Sequence, residues 1–268
     1  LDNAATTPML PEVVDAMLPY MRDHFGNPSS THAFGRRTKT AIEQARRRIA
    51  THLGVAPRTL CFTSGGTEAD NMALHASVEQ LGCRRILTCA TEHKAVLTTA
   101  QHLAEEKGLA FGLLDLDSNG RIDLERLEAT LSDGVPTLVS VMHGNNEVGI
   151  LQDIEAIGHC CHRHDALFHT DTVQTMGHYE LDLASLPIDF AACSAHKLHG
   201  PKGAGFLYVR DGLRIGAHIM GGAQERAMRG GTENLIGIMG LATAFDLAMT
   251  DLEAVSYTHL TLPTTLVV

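Results

Sequence analysis

Ser194-Ala195-His196-Lys197-Leu198-His199-Gly200-Pro201-Lys202-Gly203 follows an apolar run, Ile188, Phe190, Ala191 and Ala192, that reads as a buried strand. Lys197 therefore falls just beyond a strand end. Read alone, it is a surface lysine in a glycine-rich turn. A second stretch, His169-Thr170-Asp171-Thr172-Val173-Gln174, changes that reading. It too follows an apolar run (Ala166, Leu167, Phe168) and sets Asp171 at another strand end. A lysine flanked by hydroxyl and imidazole donors suits a Schiff base to an aldehyde cofactor, and an aspartate suits the nitrogen of a pyridinium ring. Together they fit pyridoxal 5'-phosphate (PLP).

Outward from these two stretches the chain alternates. Strands are expected at 59–62, 85–89, 109–114, 138–142, 166–170, 188–194 and 205–209. Helices are expected at 11–22, 38–53, from the turn at Gly65-Gly66-Thr67, at 93–107, 123–131, 153–164 and 234–252. Strands that alternate with helices imply an α/β fold with a mostly parallel sheet and helices on both faces, and such sheets bind ligands beyond the carboxyl ends of their strands. Residues 1–10 read as an irregular N-terminal arm and 11–254 as one large cofactor-binding domain. Residues 255–268 lack the amphipathic pattern that runs to Glu253 and are set apart as a suspect tail.

Composition narrows the partners. The 268 residues carry 21 basic and 31 acidic side chains, a formal charge of −10 that argues against nucleic acid. The Arg46-Arg47-Arg48 run reads as a solvated helix face rather than a nucleic-acid patch. No apolar run is long enough to cross a bilayer, and Leu1-Asp2-Asn3 lacks the pattern of a signal peptide. Six cysteines without CxxC pairing suit a reducing cytoplasm. Cys160-Cys161-His162-Arg163-His164 has metal-ligating residue types, but Ile154, Ile157 and Cys161 share one helix face, so the tract reads as helix and no metal site is assigned.

Other strand ends add donors. Gly65-Gly66-Thr67 opens a helix after a strand, so backbone N–H groups, the dipole and a hydroxyl offer an anion site. Ser194 and His196 extend it into a phosphate cradle. His93 stands at another strand end, where it can stack on a ring or move protons. Asn145-Asn146-Glu147 follows the strand at 138–142, and Gln174 lies three residues after Asp171, within reach of the cofactor's phenolic oxygen. The segment from Gly221-Gly222 to Thr232, with Arg226 and Arg229, reads as a reaching loop rather than a core element.

Thr63-Ser64-Gly65-Gly66-Thr67-Glu68, Thr91-Glu92-His93-Lys94, Asn145-Asn146-Glu147-Val148-Gly149, His169-Thr170-Asp171, Ser194-Ala195-His196-Lys197 and Arg229-Gly230-Gly231-Thr232-Glu233-Asn234 together resemble the NifS/IscS-like cysteine desulfurases, within the class-V aminotransferases of PLP fold type I. The resemblance runs from Leu1 to about Leu252. It implies an aspartate-aminotransferase-like PLP large domain, with Lys197 carrying the cofactor and Asp171 pairing with the pyridine nitrogen. Gln174 would bind the phenolic oxygen, His93 would stack on the ring and assist proton transfer, and Asn146 would contact the cofactor. Gly66, Thr67, Ser194 and His196 would hold the phosphate, with Thr232 reaching it from the other subunit of a homodimer. Family members convert L-cysteine to L-alanine and pass sulfur on as a persulfide for iron–sulfur cluster assembly, to an acceptor or scaffold protein.

The resemblance also implies a persulfide cysteine and a substrate-carboxylate arginine beyond the last helix, neither of which stands before Val268, and a small domain largely absent here. The expectation is a chain that holds PLP without turning over. A selenocysteine lyase, another class-V lyase or a catalytically incomplete PLP-binding interaction subunit shares the same cofactor residues.

Overall fold

The computed structural model describes residues 2–250 and 252; the tail at 255–268 lies outside the described residues. Seven strands form one sheet. They are β1 (Leu60–Thr63), β2 (Arg85–Thr88), β3 (Ala110–Leu113), β4 (Thr137–Ser140), β5 (Leu167–Asp171), β6 (Phe190–Ser194) and β7 (Gly205–Val209). Their order is β1-β7-β6-β5-β4-β2-β3. Only β7 runs against its neighbours; β6, β5, β4, β2 and β3 are mutually parallel. All but β7 therefore end on one edge, and that edge carries Ser64, His93, Met142, Asp171 and Ser194.

The helices are α1 (Pro11–Arg22), α2 (Ala33–His52), α3 (Gly66–Glu79), α4 (Lys94–Lys107), α5 (Leu124–Leu131), α6 (Ile154–Arg163) and α7 (Leu235–Thr250). They cover both faces, as the alternation predicts. Burial follows strand parity. Phe168, Ala191, Cys193 and Phe206 pack on one face, in a core with Ile42, Ile49, Ile157, Leu241 and Phe245 from α2, α6 and α7. Phe190, Ala192 and Leu207 face the other way, onto Ala69, Met72 and Ala73 of α3. Leu138 and Ile86 meet Leu74 of α3 and Val96 and Leu103 of α4.

Local chemistry fixes the helix ends. Asp123 and Asp153 cap α5 and α6, accepting the N–H groups of Arg126 at 3.1 Å and Ala156 at 2.9 Å. In α6 the acidic Glu155 stands in the first turn and His162 and Arg163 in the last, matching the helix dipole. Ile154, Ile157 and Cys161 are buried on one face, while His162 and His164 bond Asp189 and Glu128 respectively. Gly108, at φ 63°, ends α4 in the left-handed conformation.

Three expectations need correction. The helix expected from Thr38 begins five residues earlier, at Ala33, because His32 caps it by accepting the Gly35 N–H. Arg46 is not on a solvated face. It is buried beside Ile42, Ala45 and Ile49, its guanidinium grips both oxygens of Glu225 at 2.7 and 2.8 Å, and it lies 4.4 Å over the Phe62 ring. Nor is the segment before Thr232 a free reaching loop. Glu225 anchors it from inside, accepting the Phe62 N–H at 2.8 Å, and Met228 packs against the α3 side of the core.

Candidate active site

A cleft of about 460 Å³ opens over the carboxyl ends of β1, β4, β5 and β6. Nine of the ten expected site residues line it: Gly66, Thr67, His93, Asn146, Asp171, Gln174, Ser194, His196 and Lys197. The exception is Thr232, exposed beside a separate cavity of about 190 Å³ that shares Ser64 and Gly203 with the cleft.

Lys197 ends a single tight turn, Ala195–Lys197, that leaves β6. Burial is the larger influence on its ammonium and lowers the pKa; Asp171 and Asp2 oppose that shift. A lysine that loses its proton more readily is a better amine nucleophile. Its Nζ donates to the carbonyl oxygens of Ala4 and, at 3.0 Å, Ala5. Those carbonyls belong to the N-terminal arm, which the strand-end reading missed. Thr7 ties the arm down, its N–H and hydroxyl both donating to the His196 carbonyl at 3.0 and 2.9 Å. Gln174 donates to Ala4 as well, at 3.1 Å, so arm, lysine turn and Gln174 form one unit.

Asp171 closes β5, 5% exposed. Its Oδ1 accepts the Val173 N–H at 2.8 Å, and its other oxygen has no hydrogen-bond donor among the described residues. Burial pushes the acid up to about 7, with a nearby carboxyl, Asp70, adding to it. Its neighbour across the strand pair is Ala192, whose small side chain leaves room above the sheet.

At the anion end, α3 begins at Gly66, and the first turn of any helix leaves its N–H groups without partners in the helix. A side chain at Gly66 would stand 2.5 Å from Val173 Cγ2, so only glycine lets the helix start this close to the residues after Asp171. Gly205 of β7 allows a similar approach, a Cβ there overlapping Gly65 and the Cys193 carbonyl. The hydroxyls of Thr67 and Ser194 bond no described residue, and His196 shares a 3.1 Å contact with Thr6. His93 has two tasks. Its Nδ1 accepts the Ala95 N–H at 3.1 Å to cap α4, which leaves the ring proton on Nε2. Of the two asparagines, Asn145 holds its own turn through Thr91, Glu147 and Val148, and Asn146 lines the cleft.

Asp70, Met142, Lys202 and Glu68 also line the cleft, and the sequence reading gave none of them a site role. Asp70 carried the clearest signal: it is a lone carboxylate among Ala69, Met72, Ala73 and Leu74, all buried in α3. Glu68 accepts the Ser64 N–H and pairs with Arg229 at 2.8 Å, joining the anion turn to the segment that carries Thr232.

The class-V aminotransferase family matches residues 1–267. The chain belongs to that family. This family member is 43% identical over 255 residues to the cysteine desulfurase IscS of Dictyoglomus turgidum, covering 94% of this chain and 64% of that protein. It is 43% identical over 264 residues to the IscS of Methanosarcina thermophila, 98% and 65% of the two. The chain thus spans just under two thirds of the curated relatives it matches. A solved NifS-like protein superposes with a TM-score of 0.90 at 40% identity, over 94% of this chain and 70% of that one. A structure titled SspA in complex with cysteine gives 0.86 at 37%, over 91% and 71%.

PLP, the cofactor of this family, fits the residues present. An amine of lowered pKa, a buried acid with one unpartnered oxygen and two free hydroxyls beside a helix start match its aldehyde, ring nitrogen and phosphate in turn.

Proposed function

We propose that this chain is the PLP-holding part of a cysteine desulfurase, acting on L-cysteine to yield L-alanine while the sulfur passes to a thiolate as a persulfide. The reading is supported above all by Lys197 and the unpartnered oxygen of Asp171 facing one cleft, in a chain 43% identical to named desulfurases. When bound, PLP supplies the electron sink that lets the substrate's α-carbon give up a proton. The chain's residues do the rest. Lys197 holds the cofactor and serves as the base near the α-carbon. Asp171 keeps the ring nitrogen protonated, and Gln174 donates to the phenolic oxygen. His93 would stack on the ring and, through Nε2, assist proton transfer, and Asn146 would contact the cofactor. Gly66, Thr67, Ser194 and His196 hold the phosphate, completed by Thr232 of a second copy in a homodimer.

In this reading residues 11–254 are the large domain, and the protein works in the cytoplasm with a sulfur acceptor or scaffold partner. No described helix is long and apolar enough to cross a membrane. The sulfur-accepting thiol is not one of the chain's six cysteines, since every one is buried. The test is to load the chain with PLP, reduce it with borohydride and map the modified peptide. Label on Lys197 is expected, along with a visible spectrum that changes on adding L-cysteine. Label on Lys202 or Lys94 would overturn the assignment.

A further inference from the structure

Behind Asp171 lies a buried polar cluster that the cofactor contacts do not use. On β5, residues two apart share a face, so His169 points the same way as Asp171, toward α3. His169 Nδ1 lies 2.7 Å from the hydroxyl of Ser140, its register partner on β4. Its Nε2 lies 3.4 Å from Asp70 Oδ1 on α3. His169 and Ser140 are fully buried and Asp70 is 1% exposed, and neither Nε2 nor Oδ1 has a hydrogen-bond partner among the described residues, their 3.4 Å approach being a charge contact only. A third acid, Glu92, is buried nearby and accepts the Met142 N–H at 2.5 Å.

The charge balance of this cluster is unfavourable if every acid ionises. Asp70 comes from α3, Glu92 from the loop after β2, and Asp171 from β5. The bases facing them are the exposed His93 and half-buried Lys197, while β6 contributes only Ala192 and Cys193. His143, after β4, bonds Thr175, and burial pushes it down to about 4. Three buried carboxylates with so little compensation are too costly, so protons must remain on some of them. Asp70 faces the one nitrogen able to accept its proton.

We propose that Asp70 keeps its proton and donates it to a neutral His169, forming an uncharged positioning pair that reserves the cluster's negative charge for Asp171. The order of bonds is then fixed: Asp70 O–H to His169 Nε2, and His169 Nδ1–H to the Ser140 hydroxyl. Burial supports this placement from both sides, pushing Asp70 well up and His169 down to about 4. An uncharged Asp70 also removes the electrostatic influence that, after burial, most disfavours ionisation of Asp171. The pair lets the carboxylate beside the cofactor ring be charged without a second buried anion. This role for Asp171 rests on the PLP reading; the proton on Asp70 does not.

The first experiment therefore uses the cofactor-free chain. Nitrogen-15 histidine NMR, with His169 assigned by loss of its signal in His169→Gln, should show a neutral ring protonated at Nδ1. That state should persist between about pH 5.5 and 8.5. A ring protonated on both nitrogens, or one titrating in that range, overturns the proposal. The second experiment measures PLP affinity by equilibrium dialysis. Asp70→Asn retains a donor and should bind within about threefold of the parent, whereas Asp70→Ala leaves Nε2 orphaned and should bind roughly tenfold more weakly. Equal losses in the two variants would refute a donating Asp70. A parent chain that takes up no PLP would sink the functional reading and leave the NMR result standing.

Discussion

At the scale of single residues, Asp171 joins the fold to the chemistry. Burial raises its acid from an ordinary 3.8 to about 7, so the folded chain holds a proton that the unfolded chain has released between those values. Stability of the cofactor-free protein then falls as pH rises through that window and levels off above it. Asp171→Asn has no proton to lose. Measured by thermal unfolding without cofactor, this variant should gain melting temperature relative to the parent between about pH 4.5 and 8. A variant–parent difference that stays flat over that range would mean that Asp171 is ionised throughout. The placement of Lys197 and Asp171 at strand ends was legible in the sequence because each is a charged residue a few positions after an apolar run, where a strand must end. The arm carbonyls that meet Lys197 were not legible, since backbone groups leave no residue-type signal and Ala4 lies 193 positions away.

Among the elements, the informative case is α2 and the segment it holds. Glu225, Arg226 and Ala227 all have positive φ (45°, 55° and 64°), an unfavourable run for residues with side chains. The buried Arg46–Glu225 pair holds that run in place. The same two side chains bond the Leu60 carbonyl and Phe62 N–H of β1, the strand that leads into the anion turn. Removing one partner of a buried pair leaves an uncompensated charge, which costs about 3–5 kcal/mol. Glu225→Ala should lower stability by that amount in urea unfolding and weaken PLP binding, while Arg46→Leu combined with Glu225→Leu should cost less than either single change. If the double variant is the least stable, the pair is not what anchors the segment. Helical spacing places Arg46 on the inward face, four residues after Ile42 and three before Ile49. Charge density along Arg46-Arg47-Arg48 hid it, because only one of three adjacent residues can face inward. Glu225 had no such signal, since its burial depends on a contact 179 residues away.

For the whole molecule, strand and helix identities were readable from periodicity, and their placement came with the general rule for parallel sheets. The reversed direction of β7 was not readable, because an apolar strand packs equally well either way until its neighbours are known. Burial across the whole fold also decides thiol reactivity. Cys61 and Cys193 lie in central strands, Cys160 and Cys161 on the inner face of α6, and Cys83 and Cys89 at either end of β2. All six are buried. Burial raises the thiols of Cys61, Cys83, Cys160, Cys161 and Cys193, and takes Cys83 up to about 12. Thiolate is the reactive form, so each is slow both as a nucleophile and as a sulfur acceptor. A disulfide reagent such as Ellman's should therefore titrate essentially no thiol in the native chain at neutral pH and six in denaturant. Adding L-cysteine to the PLP-loaded chain should leave none of the six carrying a persulfide, as read by mass spectrometry of alkylated peptides. A single cysteine that reacts at once in the native state, and gains sulfur from L-cysteine, would show that the fold opens far enough to deliver an internal acceptor to Lys197.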